Sequence, residues 1–198
     1  SLSSSKRKKI KRERRYVTDA DIEIQVVQGN QATDEQIRAA ANYYIKTFDK
    51  KWGTATLNHA FFKEISSTMG EQLLFFFARH NASYVACSIC FKSDCTLYGR
   101  HWGCSEEFHS LHFECCYYQG IEYCIQEGLD YFDPGAQGEH KISRGFLPTP
   151  TWSSHWISND SFRIAIKDFL DRETTGMMHY IEEMTTHSPY KKLPGNAK

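Results

Sequence analysis

The loop within YFDPGAQGEHKISRGFLPTPTWSSHW, residues 131–156, gathers side chains that can do chemistry. Directly after Gly138 it places an acid, an imidazole and two cations within six residues: Glu139, His140, Lys141 and Arg144. A carboxylate and an imidazole can move protons, and the cations can hold an anion. Ordinary surface loops are polar, but they seldom combine these groups between glycines. The stretch therefore raises the question of whether this loop merely connects two elements or holds a substrate.

The seven cysteines do not indicate a disulfide framework or a metal site. Their number is odd and the chain is not short, so reduced thiols are the expectation. Cys87 and Cys90 have a zinc-like spacing, but they lie in a strand pattern, where residues three apart point to opposite faces. His109 and His112 have no third ligand placed beside them, and no second pair completes a four-ligand set. We therefore expect no metal.

The net charge of zero hides a strong asymmetry along the chain. Between Lys6 and Arg15 there are eight Lys or Arg residues and one Glu, a sum of +7, so the remaining residues sum to −7. A basic segment attached to an acidic body favours an anionic partner such as RNA, a nucleotide phosphate or an anionic lipid. The alternative is a solvated helix or a linker. We assign residues 1–15 to this basic arm and residues 16–198 to the domain.

Length and composition suit one globular domain, because 198 residues with 40% hydrophobic content can bury a sizeable core. The sequence has no apolar run near the length of about 18 residues that a transmembrane helix needs. It begins at Ser1 and shows no signal-peptide pattern, so we expect a cytoplasmic protein and a piece of a longer chain. The oligomeric state stays open.

Hydrophobic periodicity predicts ten elements in the order strand, helix, helix, three strands, helix, strand, strand, helix. Thr33 and Gln36 predict a capping box at the first helix, and Gly70 and Gly128 predict helix ends. The predicted segments are 21–29, 33–52, 58–70, 72–80, 82–94, 95–103, 111–129, 130–135, 151–157 and 159–187. The three consecutive strands with short turns predict an antiparallel meander.

The segments 95–103 and 130–135 are two strands joined through a helix, which predicts a parallel crossover. The fold class is therefore α/β, with a mixed sheet of an antiparallel meander plus a parallel crossover, flanked by helices on both faces. Ligands in such folds favour the carboxyl ends of the parallel strands. The loop after residue 133 leaves the sheet at that end.

The order of elements resembles the GNAT acyltransferase fold. LYGRHWGCSEE, followed by a helix and then by LDYFDPGAQGEHKISRGFLPTPTWSSHWI, is similar to the FemAB-like predicted N-acyltransferases. These are related to the Fem-type enzymes, which transfer amino acids from aminoacyl-tRNA to peptidoglycan precursors. The resemblance covers essentially the whole chain, including the basic stretch. Members of that family are about twice as long, which implies that this chain is a C-terminal half.

The resemblance implies a donor-binding motif at the start of the central helix. GNAT folds carry Arg/Gln-x-x-Gly-x-Gly/Ala there, and its backbone N–H groups meet the pyrophosphate of the acyl donor. The corresponding residues here are Arg100, Gly103 and Ser105, where Ser105 stands in place of the Gly or Ala of the pattern. A helix N-terminus favours anions, but Glu106 and Glu107 follow directly and would repel a pyrophosphate. First-turn carboxylates favoured by the helix dipole are the alternative interpretation of those two residues.

The resemblance also implies roles for residues 138–145, which we call the reactive loop. Lys141 occupies the position of a Fem-type lysine that neutralises a phosphate or stabilises an oxyanion, and Arg144 could bind the same group. Gly138 belongs to the same substrate-binding loop. The proton that leaves the attacking amine needs a base, for which Glu139, His140 and His112 are the candidates. Solvated loop charges and a packing histidine are the alternatives.

The implied function is N-acyl transfer, of an acyl or aminoacyl group, to an amine acceptor by direct attack in a ternary complex. The donor would be acyl-CoA or aminoacyl-tRNA as a co-substrate, with no tightly bound cofactor. The acceptor would be related to peptidoglycan precursors. The alternative is a GNAT-fold module without catalysis that recognises a peptidoglycan precursor or RNA.

Overall fold

The computed structural model describes residues 1–49, 53–136 and 138–191. The chain forms two compact units: the first is Lys9–Ala136, and the second combines Ser1–Lys8 with Gln137–Lys198. The helices are α1 Ser4–Asp19, α2 Asp34–Asp49, α3 His59–Thr68, α4 Leu111–Phe113, α5 Gln119–Glu127 and α6 Asp160–Thr186. The strands are β1 Glu23–Gln28, β2 Leu73–His80, β3 Ser83–Lys92, β4 Thr96–Cys104 and β5 Tyr131–Asp133.

The first unit is built on one mixed sheet with the strand order β1-β2-β3-β4-β5. Strands β1 to β4 are antiparallel neighbours, and β5 joins β4 in parallel, with Thr96 opposite Tyr131. Parallel neighbours need a long connection, and the helical segment between β4 and β5 supplies it. The predicted α/β fold, an antiparallel meander plus a parallel crossover, is confirmed.

Strand β2 lies inside the sheet, between β1 and β3, and the side chains of Leu73–Ala78 are completely buried. Alternate residues of a strand point to opposite faces, so both faces of β2 need cover. Leu73, Phe75 and Phe77 pack against apolar residues of α2 and α3. On the other face, Leu74 and Phe76 pack in a cluster with Cys124 of α5. Helices therefore lie on both faces of the sheet, as predicted.

Local capping signals set the starts of α2 and α3. The backbone N–H of Gln36 donates to Thr33 Oγ1 at 3.3 Å, and Thr33 N–H donates to the Gln36 side chain at 2.9 Å, so the predicted capping box is confirmed. Asn58 caps α3 by accepting a hydrogen bond of 3.0 Å from Phe61 N–H. Helix α2 was predicted to reach residue 52, but residues 50–52 lie outside the described residues.

A π-helical segment, Glu114–Tyr118, lies between α4 and α5, and the three pieces together form the central helix, residues 111–127. π-helical turns inside α-helices are rare, and those that occur are often found at functional sites. Gly128 ends the central helix in the left-handed conformation, with φ of 71°, which confirms the predicted stop.

Helix α1 contains the basic segment, and its later turns pack on the central helix. Val17 is buried in a cluster that includes Leu111 and Cys115. Glu13 is also buried, and its carboxylate accepts a hydrogen bond from the Tyr118 hydroxyl. The helix continues through the predicted boundary at residue 15 without a break. The division into arm and domain stays a prediction.

Arg14 joins α1 to the central helix by a two-carboxylate clamp. Its guanidinium donates to Glu114 at 3.0 and 3.2 Å, and to Glu122 at 3.0 Å. Glu114 is buried, and the Gln119 side chain also donates to it at 2.7 Å. The hydrogen bonds to Glu122 and Glu114 raise the pKa of Arg14 above its ordinary value. A buried carboxylate needs such partners, because desolvation of an unpaired charge is costly.

The second unit contains the reactive loop and α6. Asn159 caps α6, because its side chain accepts a hydrogen bond of 2.9 Å from Phe162 N–H. The strand predicted at 151–157 is wrong: these residues form neither strand nor helix. Trp152 and Trp156 are 80% and 84% exposed, so the apolar side chains of this alternating segment do not pack against a sheet.

In the described part of the chain, no helix has both the length and the apolar character needed to cross a bilayer.

Replacing Arg14 with Ala should lower the free energy of unfolding by about 2 kcal/mol, because Glu114 is left buried without its cation. This is below the range for fully buried pairs, since the Arg14 side chain is 35% exposed. Arg15→Ala, an exposed neighbour on the same helix, is the matched control and should change stability by less than about 0.5 kcal/mol. Urea unfolding followed by circular dichroism measures both, and equal losses would contradict the clamp.

Candidate functional site

The first candidate feature is the place where β4 and β5 separate. Their parallel pairing ends at Tyr98 and Asp133, where β5 stops, whereas β4 continues to Cys104. Residues 99–104 therefore extend past the end of β5 on that side of the strand. This is the carboxyl end of the two parallel strands, where ligands of open α/β sheets bind.

A β-bulge lies at the start of this extension. Ile89 of β3 pairs with His101, while the next residue, Cys90, pairs with Gly99, so Arg100 is an extra residue in β4. Bulges redirect side chains and are frequent next to active sites. The Arg100 side chain is exposed here, whereas the His101 ring lies at 4.7 Å from the Tyr44 ring of α2.

His101 lies in this region and was not singled out by the sequence pattern. Burial, together with the neighbouring positive charge of Arg100, lowers the pKa of His101 to about 4. The imidazole is therefore neutral at pH 7 and has a nitrogen lone pair that can accept a proton. The bulge at Arg100 is not visible in the sequence, and without it the alternation of residues along β4 does not show which face of the sheet His101 occupies.

Gly103 and Ser105, two of the predicted donor-binding residues, are in close contact with the rest of the first unit. A Cβ atom on Gly103 would lie 1.9 Å from the Tyr43 carbonyl oxygen of α2. The backbone N–H of Ser105 donates to the Val85 carbonyl at 2.8 Å, and its hydroxyl donates to the same oxygen at 3.1 Å. Packing and sheet pairing therefore account for small residues here. The donor-binding role of both stays a prediction.

His112 lies in the first turn of the central helix among aromatic rings. Its ring is 5.5 Å from Trp102 and 5.4 Å from Tyr117, both nearly perpendicular to it. His109 contacts Tyr16 and lies 2.9 Å from the Ser110 hydroxyl. Among the described residues, no three His, Cys, Asp or Glu side chains are grouped so that they could hold a metal ion. The role of His112 as a base stays a prediction.

The reactive loop of the second unit is a single 3-10 helix, Glu139–Arg144, between two glycines. Gly138 and Gly145 have φ of 99° and 107°, which glycine adopts without strain. The Arg144 side chain is 3% exposed and donates to the His140 carbonyl at 2.8 Å. Arg144 therefore stabilises the loop from inside and is not a solvated surface charge.

The other predicted residues of this loop are more accessible. Glu139 is exposed and accepts a hydrogen bond of 3.1 Å from the Tyr180 hydroxyl of α6. Lys141 is partly exposed, and its backbone N–H donates to the Gly138 carbonyl at 3.0 Å. Burial, with Arg144 and Lys141, lowers the pKa of His140. The loop thus brings five predicted residues together in the second unit: Gly138, Glu139, His140, Lys141 and Arg144.

The first unit holds the other four predicted residues, near the end of β4 and the start of the central helix: Arg100, Gly103, Ser105 and His112. His112 contacts Trp102, which directly precedes Gly103 in β4. The resemblance suggested these residues from motif positions, and their catalytic and binding roles stay predictions.

A family model for FemAB-like proteins, described as peptidoglycan biosynthesis/recognition, matches residues 1–192. This chain belongs to that family. The resemblance found in the sequence is confirmed. No protein of curated function matches the chain.

Solved structures with a similar fold are acetyltransferases by title. A possible acetyltransferase from Clostridium difficile 630 is 10% identical, with a TM-score of 0.50, over 70% of this chain and 99% of that chain. A ribosomal-protein-alanine N-acetyltransferase from Brucella melitensis biovar Abortus 2308 is 8% identical, with a TM-score of 0.48, over the same shares. At 10% identity the first likeness shows a shared fold alone.

Replacing Gly103 with Ala should lower the free energy of unfolding by about 3 kcal/mol, because the new Cβ meets the backbone of α2, which cannot move aside. The matched control is Gly99→Ala in the same strand, where a Cβ would meet Pro134 at an ordinary 3.5 Å. Denaturant unfolding compares the two variants. A loss at residue 99 as large as that at residue 103 would contradict the close approach of α2.

The low pKa of His101 makes stability depend on pH. The unfolded chain binds a proton at this histidine near pH 6.5 and the folded chain only near pH 4, so stability should fall as pH decreases between those values. His101→Gln should flatten the dependence of Tm on pH in this window. His179→Gln, an exposed histidine of α6, is the control. An unchanged pH profile in His101→Gln would contradict the assignment.

Proposed function

We propose that this protein transfers an acyl or aminoacyl group to the amine of a peptidoglycan-related acceptor. The observation that carries the proposal is the separation of β4 and β5 beside the bulge at Arg100. A donor laid along residues 99–104 would use the backbone groups of β4 that extend past the end of β5. The attack is direct, in a ternary complex of both substrates.

Amine attack on a carbonyl carbon requires an uncharged amine, so a base must hold the proton that the nitrogen releases. His101 is our first choice, because it is neutral at pH 7 and adjacent to the separation of the strands. Its low pKa makes it a weaker base than an ordinary imidazole, and a general base works best with a pKa near the operating pH. Glu139, His140 and His112 remain the alternatives proposed from the sequence.

Lys141 is the proposed stabiliser of negative charge, either on a substrate phosphate or on the oxyanion that forms at the attacked carbonyl. Its ammonium is mounted on a loop that Arg144 and two positive-φ glycines hold in a compact 3-10 helix. A loop held in this way can position the ammonium before the reaction begins. Arg144 serves the loop from inside.

Two donor classes fit the proposal, an acyl-CoA and an aminoacyl-tRNA, and neither is a tightly bound cofactor. The exposed Glu106 and Glu107 beside Ser105 would repel a pyrophosphate at the start of the central helix. In addition, the Ser105 N–H is already used by Val85. Both observations favour aminoacyl-tRNA over acyl-CoA as the donor.

The same contacts favour a second candidate function. Because the Ser105 N–H is hydrogen-bonded to Val85, it is not offered to a donor phosphate. Such a protein could bind a peptidoglycan precursor without catalysing transfer. In that case the region where β4 separates from β5 would hold the precursor, and no donor would react. The two functions differ in whether the acceptor amine becomes acylated.

A transfer assay with muropeptide acceptors and each donor class tests the proposed function. Lys141→Ala should reduce kcat at least about 100-fold, as removal of an oxyanion donor does. Lys167→Ala removes an exposed cation from α6 and should leave the rate unchanged. A wild-type rate in Lys141→Ala would remove that residue from the mechanism. Muropeptide binding without transfer from either donor would favour the binding module.

A further inference from the structure

Some cations of α1 have carboxylate partners, and others face solvent. Arg14 is engaged by Glu114 and Glu122, as described above. Lys11, Arg12 and Arg15 are exposed, and within the described ranges no carboxylate lies at ion-pair distance from them. We call these three residues the cationic stripe. The fold of the first unit does not use their charges.

The stripe occupies one side of α1. At about 100° per residue, its three side chains fall within an arc of about 100° and within about 6 Å along the axis. Glu13 and Val17, which are buried against the central helix, lie on the opposite side. Because the central helix holds that side in place, the stripe is presented on a fixed helix and not on a flexible arm.

The orientation of α1 separates two kinds of anionic partner. A helix that binds a membrane surface turns its apolar face into the lipid and its cations to the headgroups. In α1 the apolar face is turned into the protein core, where Val17 is 3% exposed. Only the cations are offered to a partner, and such a surface fits phosphates arranged along a polymer backbone.

We propose that the cationic stripe docks the phosphate backbone of an RNA. The choice of RNA rests on the proposed function, in which an aminoacyl-tRNA is the favoured donor. The three cations contact about three phosphates and read no bases, so binding depends on salt and not on RNA sequence. The stripe would add affinity for the donor at a distance from the acyl group.

The test measures binding of deacylated tRNA, which needs no catalysis. Affinity should fall about 20-fold between about 50 mM and about 200 mM salt, as expected for three released counterions. The triple variant Lys11→Ala, Arg12→Ala and Arg15→Ala should bind at least about tenfold more weakly at low salt and lose most of the salt dependence. Circular dichroism should be unchanged, because the fold does not use these side chains.

The matched control removes three exposed cations elsewhere: Lys63→Ala, Lys167→Ala and Arg172→Ala. It changes net charge equally and should keep wild-type affinity for tRNA. Equal weakening by both triple variants would overturn the proposal, as would the absence of tRNA binding at low salt. Binding to phosphatidylserine vesicles instead of tRNA would overturn the choice of a nucleic acid.

Failure of this proposal and failure of the proposed function give different results. Transfer from acyl-CoA without tRNA binding would remove the RNA docking surface and leave the acyltransferase. Binding of tRNA through the stripe, without transfer to any muropeptide, would leave the docking surface and remove the catalytic assignment.

Discussion

The burial of β2 on both faces is the constraint from which the first unit is built. Six consecutive residues, Leu73–Ala78, are completely buried, and each large apolar side chain contributes about 1.5–3 kcal/mol when removed from water. Neither face of the sheet can be left open to solvent. The chain therefore needs α2 and α3 on one side and the central helix with α1 on the other, and the lengths of the connections follow from that requirement.

The two helical layers hold the candidate site by different means. On one side the α2 backbone packs so closely on β4 that only glycine fits at residue 103. On the other side Arg14 holds the π-helical segment through Glu114. Between these layers β4 forms its bulge and separates from β5, so His101 is held against Tyr44 while Arg100 faces solvent. The position of the candidate site therefore depends on how α2 and the central helix pack on β4.

Several elements followed from local chemistry, because short-range contacts set them. The capping box of Thr33 and Gln36 and the stop at Gly128 need neighbours only a few residues away, and the meander of β2 to β4 needs only short turns between consecutive strands. The segment 151–157 shows the limit of this reasoning. Its alternating pattern resembles a strand, but a strand requires an edge to pair with, and periodicity does not reveal one.

Periodicity and motif positions are local properties, and they were enough to predict the α/β order, the mixed sheet and the FemAB-like family. The sequence also located the loop of Glu139 and Lys141 and the basic segment. The tertiary structure was needed to show which of these charges are internal. Arg14 is held by Glu114, which lies 100 residues away in the chain, whereas Arg15 faces solvent. Desolvation depends on those distant groups, so no local pattern could have separated Arg14 from its neighbours.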